Sequence, residues 1–86
     1  MEYDIKQEIY DEYKKIVGDY DIKTQPDNCS SYFILVKDDF SGVHIQLKNN
    51  RFDRGGLAFD NWPKAKQLVD TVGEDLLLKY WFRVKE

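Results

Sequence analysis

Ile5, Ile9, Tyr13, Ile16, Val17 and Tyr20 recur at steps of three and four residues. On a helix this spacing lays them on one stripe, so the pattern predicts an amphipathic helix that starts at residue 2 or 4 and ends at residue 17. Lys6, Glu8, Asp11, Glu12, Lys14 and Lys15 fall largely outside the stripe. The acids lean toward its start and the lysines toward its end, which suits the helix dipole. Gly18 follows the last periodic residue, where a left-handed C-terminal cap belongs. Tyr3 and Tyr10, seven residues apart, share a neighbouring face.

Beyond Gly18 the period shortens. Tyr20, Ile22 and Thr24 alternate weakly and suggest a short strand within residues 19–25. Pro26-Asp27-Asn28 is a turn, because Pro presets φ and the two polar side chains bond back to their own backbone. Residues 31–37, rich in aromatic and β-branched side chains, predict a strand buried on both faces for part of its length. Residues 38–42 are a hairpin loop. From 43 to 48 the alternation is strict: Val43, Ile45 and Leu47 point one way, His44, Gln46 and Lys48 the other. Asn49-Asn50 is the next turn. Residues 51–59 predict a third strand, bent or bulged at Gly55-Gly56. Asp60 or Asn61 caps a second helix with Pro63 in its first turn. Its periodic residues are Trp62, Ala65, Leu68, Val69, Val72 and Leu76, and Gly73 ends it or weakens its last turn. The dense apolar run at residues 77–84 reads as a final strand, with helical continuation from Glu74 as the competing reading.

The order helix, strands, helix, strand predicts an α+β fold. We expect a single domain over residues 1–86: an antiparallel sheet of three to five strands with both helices on one face. The other face is then open to solvent or to a partner.

Composition narrows the function. Six Tyr, five Phe and two Trp accompany one His and one Cys in 86 residues with a net charge of −3. Aromatics supply buried area and interface anchors, whereas His and Cys carry most nucleophilic, acid–base and metal chemistry near neutral pH. That balance favours binding over catalysis, and no enzyme activity, cofactor or metal is expected. Cys29 has no second cysteine to pair with, the N-terminus has no apolar signal core, and no apolar run approaches the ~20 residues that span a bilayer. A cytoplasmic protein without membrane contact is the expectation.

A Cys29–His44 pair is the one nucleophile–base combination that can be drawn, and no flanking pattern activates the thiol. No Cys-x-x-Cys, His-x-x-x-His or His-x-Glu spacing exists, and Asp38-Asp39 at the hairpin tip lacks the spaced ligands of an oxygen cage. Gly55-Gly56 lacks the flanking pattern of a phosphate-binding loop.

Charge is unevenly placed. Residues 1–28 hold eight acids and four bases, residues 29–86 eight acids and nine bases. Within residues 48–66, Lys48, Arg51, Arg54, Lys64 and Lys66 outnumber Asp53 and Asp60, and Phe52, Phe59 and Trp62 lie among them. Cations along a groove with rings that stack on bases are what single-stranded nucleic acid binders use. Lys48, Arg51, Phe52, Arg54 and Lys66 are the candidates for that chemistry. The bland alternative is that Phe59 and Trp62 anchor the second helix while the cations only solvate the surface. Residues 39–72 (DFSGVHIQLKNNRFDRGGLAFDNWPKAKQLVDTV) bear a resemblance to the strand–strand–strand–helix core of small single-stranded-DNA-binding transcriptional coactivators. The likeness spans less than half of the chain. The acidic first helix, the compressed inter-strand loop and the extra C-terminal strand depart from that family, and membership is not concluded.

The acidic N-terminal third supports a different class. A carboxylate-studded, Tyr-rich helix fits a basic groove on a protein partner, including a groove that receives phosphate in a nucleic-acid enzyme. The leading expectation is therefore a small non-enzymatic binding protein acting by protein–protein contact. By analogy with small stand-alone phage and mobile-element proteins, it would serve as an inhibitor or accessory factor. Tyr3, Tyr10, Asp11 and Glu12 are its candidate helix contacts, and His44, Gln46 and Lys48 its candidates on the sheet face. Single-stranded nucleic acid binding through residues 48–66 is the alternative. A homodimer formed edge to edge through residues 77–84 is a further possibility.

Overall fold

A computed structural model describes residues 4–84. In chain order these form α1 (Ile5–Val17), a 3₁₀ turn (Ile22–Thr24), β1 (Ser30–Val36), β2 (Val43–Asn49), β3 (Ala58–Phe59), α2 (Trp62–Val72) and α3 (Glu74–Leu76). α3 runs on into a π-helical turn (Leu77–Trp81). The strands make one antiparallel sheet in the order β2-β1-β3. The α+β class and the three-strand sheet agree with the pattern in the sequence.

Local chemistry sets the helix ends. The Asp4 carboxylate accepts the Gln7 N–H at 3.0 Å and caps α1. Asn61, rather than Asp60, caps α2 by accepting the Lys64 N–H at 3.0 Å. Gly73 ends α2 with φ at +94°, a conformation that a residue bearing a Cβ takes only under strain.

The α1 stripe buries Ile9, Tyr13 and Val17 against Ile34, Val43, Leu57 and Phe59 of the sheet side and Ala65, Leu68, Leu77 and Leu78 of the C-terminal helices. Tyr13 meets Phe59 edge-on at 5.2 Å, and its hydroxyl donates to the Ala58 carbonyl at 2.9 Å. Burial pushes the Tyr13 hydroxyl up to about 12. α1 and α2 thus lie on one sheet face. On the other, Ile22, Phe33 and Ala58 form a small second cluster with Leu35 against it.

Three expectations are corrected. Residues 19–25 hold no strand: the Asp21 side chain accepts the Lys23 N–H at 3.0 Å and closes a 3₁₀ turn that drives Ile22 under the sheet. Such local side-chain bonding competes with a strand ladder. The third strand shrinks to Ala58–Phe59, because Asp53 accepts the Gly55 N–H at 3.1 Å and folds residues 51–57 into a loop. Residues 77–84 contain no strand either. Leu77 and Leu78, adjacent in sequence, are both buried, and the Phe82 N–H donates to the Leu77 carbonyl at 2.9 Å. An apolar run without alternation does not distinguish strand from helix, and the helical reading prevails here. The edge-to-edge dimer through residues 77–84 loses its strand.

Candidate functional site

With Ile9, Tyr13 and Val17 turned inward, α1 presents Tyr10, Asp11 and Glu12 on its outer side. Tyr10 is 40% exposed and stacks on Trp81 with centroids 6.4 Å apart and rings 4° from parallel. The Lys6 ammonium sits 5.3 Å from the Trp81 ring. Tyr3 lies outside the described residues.

Beside this ledge a groove of about 290 Å³ opens between α1 and the α2–α3 junction. Ile5, Ile9, Val72 and Leu76 line it with apolar surface, and Glu8, Asp11, Glu12, Lys15 and Thr71 complete its polar wall. Leu76 is 40% exposed. Glu12 pairs with Lys15 at 3.3 Å, an exposed contact of small energetic weight. Among the described residues Asp11 accepts only a neutral amide hydrogen, from Gln7 Nε2 at 3.0 Å, so this bond leaves its negative charge in place. The groove thus sets apolar side chains beside three carboxylates and one ammonium.

On the opposite sheet face, His44 and Gln46 are exposed, and Lys48 is half-buried with its ammonium 5.3 Å from the Phe52 ring. Phe52 in turn packs edge-on against Phe33 at 5.5 Å. The two sets of protein-contact candidates therefore lie on opposite faces of the sheet. A single flat partner surface does not reach both.

The basic stretch also divides. Lys48, Arg51 and Phe52 line one shallow depression. Arg54 is turned inward: Nη1 donates to the Ile22 carbonyl at 2.6 Å and the Gln25 carbonyl at 2.9 Å, and Nη2 pairs with Asp27. It clamps the 3₁₀ turn to the loop after β2. Lys66 sits on α2 and pairs with Asp70 at 2.8 Å, which raises the pKa of its ammonium. Lys64 pairs with Asp60 at 3.2 Å, and Phe59 is fully buried. Trp62 is 48% exposed.

Cys29 and His44 are set apart by the strand register. The Asn50 N–H donates to the Cys29 carbonyl, so Cys29 lies beside position 50, six residues along the β2 strand line from His44. At about 3.3 Å per residue that is roughly 20 Å. The two side chains do not form a dyad in this fold.

The groove floor was not legible as a site in the sequence. Val72 and Leu76 were legible as helical stripe residues, but nothing in their spacing announced that the chain would leave them uncovered after Gly73. Asn50, expected at a surface turn, is buried. Its side chain accepts from Ser31 and donates to the Pro26 carbonyl at 2.7 Å, and Ser31 also meets the Tyr20 hydroxyl.

Among the described residues no helix is long and apolar enough to cross a membrane. No family model, no curated protein and no solved structure matches this chain.

Proposed function

We propose that this chain is a non-enzymatic protein-binding module, an inhibitor or accessory factor, whose contact surface is the acidic outer side of α1 together with the groove that α1 forms with α2 and α3. The observation that carries this reading is the groove itself: Ile5, Ile9, Val72 and Leu76 give it apolar surface, and the acids Glu8, Asp11 and Glu12 outnumber Lys15 along its polar wall. Apolar contact supplies affinity, while the carboxylates speed encounter and fix register. The partner surface that fits presents aliphatic or aromatic anchors among Lys and Arg side chains. A protein whose basic groove handles nucleic acid meets that description, with carboxylates standing where phosphates would. Tyr10, stacked on Trp81, extends the contact ledge along α1.

The test is partner capture with surface variants. Asp11→Lys combined with Glu12→Lys weakens capture by about tenfold or more with the fold intact, since exposed charges contribute little to stability. Capture unchanged by that double reversal contradicts the reading. A parallel titration with labelled single-stranded DNA addresses the nucleic-acid alternative, which rests on Lys48, Arg51 and Phe52. Binding that falls steeply with salt and vanishes in Arg51→Glu would replace the proposal.

A further inference from the structure

Among the described residues β2 is an edge strand, hydrogen-bonded to β1 on one side only. The Gly42 carbonyl accepts the Lys37 N–H and the Asn50 N–H donates to Cys29, so the even-numbered residues of this stretch direct their backbone groups toward the β1 side. Antiparallel alternation then turns the backbone groups of Val43, Ile45, Leu47 and Asn49 outward. Both ends of that row are engaged within the chain. The Val43 N–H donates to Glu74 Oε2 at 3.2 Å, and the Asn49 carbonyl accepts the Phe52 N–H at 2.8 Å. Gly42 makes the first of these possible, because a Cβ there would lie 2.1 Å from the same Glu74 oxygen. Between the ends, Ile45 and Leu47 face outward, and Leu47 is 54% exposed.

Two outward residues separated by one inward residue form the repeat that an antiparallel two-fold pair requires. We infer that β2 is a self-pairing edge: a second copy of this chain docks antiparallel about an axis at Gln46, with Ile45 opposite Leu47 of the second copy and Leu47 opposite its Ile45. Each such pair exchanges two N–H···O bonds, and the two Gln46 residues face each other between them. The aliphatic pairs fall on the helix-bearing face, where Leu47 gains the cover it lacks in one copy.

Charge favours this occupant. Asp38, Asp39 and Glu74 outnumber Lys37 near the β2 start, and Lys48 and Arg51 lie at its end. The two-fold sets the basic end of each copy toward the acidic end of the other, and Lys48 opposite His44 of the second copy rather than another cation. The product is one six-stranded sheet with helices on a common face. Its small contact makes it a weak, concentration-dependent dimer, independent of the groove on α1.

Sedimentation over a wide concentration range tests the inference on the unmodified chain and on Leu47→Pro and Leu47→Lys. The Leu47 N–H faces away from β1, so proline removes no bond of the existing ladder. The expected result is reversible dimerisation of the unmodified chain, weakened about tenfold or more in both variants and weakened by salt. Asp11→Lys leaves it unchanged. Amide exchange supplies a readout that needs no variant: the Ile45 and Leu47 N–H groups become protected as concentration rises. A chain that stays monomeric throughout overturns the inference, as does a dimer indifferent to both Leu47 substitutions. So does an edge that accepts strand-forming peptides of other sequence but never its own copy.

Discussion

The acidic helix and the basic stretch are the two charged regions of this molecule, and the fold treats them differently. Across residues 48–66 the cations are largely spent at home: Arg54 on the 3₁₀ turn, Lys64 on Asp60, Lys66 on Asp70. On α1, Glu12 is likewise paired, with Lys15, but among the described residues Asp11 has only the Gln7 amide for a partner, and it stands with Glu8 beside an open groove. A charge counted in the sequence is therefore not a charge offered to a partner. What separates the two is whether an opposite group or a carbonyl lies within reach in the folded chain.

The largest effect that sharpens this contrast is on stability. Arg54→Ala removes two carbonyl contacts and the Asp27 pair, and should cost about 1–3 kcal/mol. Arg51→Ala should stay within about 0.5 kcal/mol, as exposed sites do. Urea titration of the two variants decides: equal losses would break the distinction between an internal and an offered cation.

Tyr13→Phe comes next, because it removes the buried bond to the Ala58 carbonyl and should cost roughly 1–2 kcal/mol. It also changes the alkaline limb. Tyr13 ionises at about 12 when folded against a reference of 10.0. The unfolded chain therefore loses this proton first. The contribution of Tyr13 is whole below pH 10 and is lost as pH rises from 10 to about 12. Denaturant titrations across that window should show a shallower decline in Tyr13→Phe than in the unmodified chain.

Smaller still is Leu76→Lys, which places a cation on the groove floor. Leu76 is 40% exposed, so stability should fall by under about 1 kcal/mol, whereas a basic partner should bind about tenfold more weakly. The Asp11→Lys, Glu12→Lys pair should be nearly silent in thermal melts, within about 0.5 kcal/mol, and act on binding alone. A melt shifted as far as that of Arg54→Ala would show that the acidic rim serves the fold rather than a partner.

How much was readable in advance follows the same division. The α1 stripe, the strand at the centre of the sheet, the alternation of β2 and the α2 register are local patterns, and each is where its period put it. Asp21, Asp53 and Arg54 changed the rest, through bonds to neighbours that no periodicity encodes. The run after Gly73 was ambiguous for a plainer reason: side chains apolar in every direction suit a buried helix as well as a buried strand. For the site, the residue types on α1 were visible, but the groove was not, because it depends on where α3 turns after Gly73.

Whether the acidic groove is the contact surface is decided by quantitative capture on the immobilised chain, comparing the unmodified protein, the Leu76→Lys, Asp11→Lys, Glu12→Lys triple variant and Arg51→Glu. The expected result is a protein retained by the unmodified chain and by Arg51→Glu but lost from the triple variant, with all three equally folded. Retention that survives the triple variant, or that disappears with Arg51→Glu alone, would contradict it.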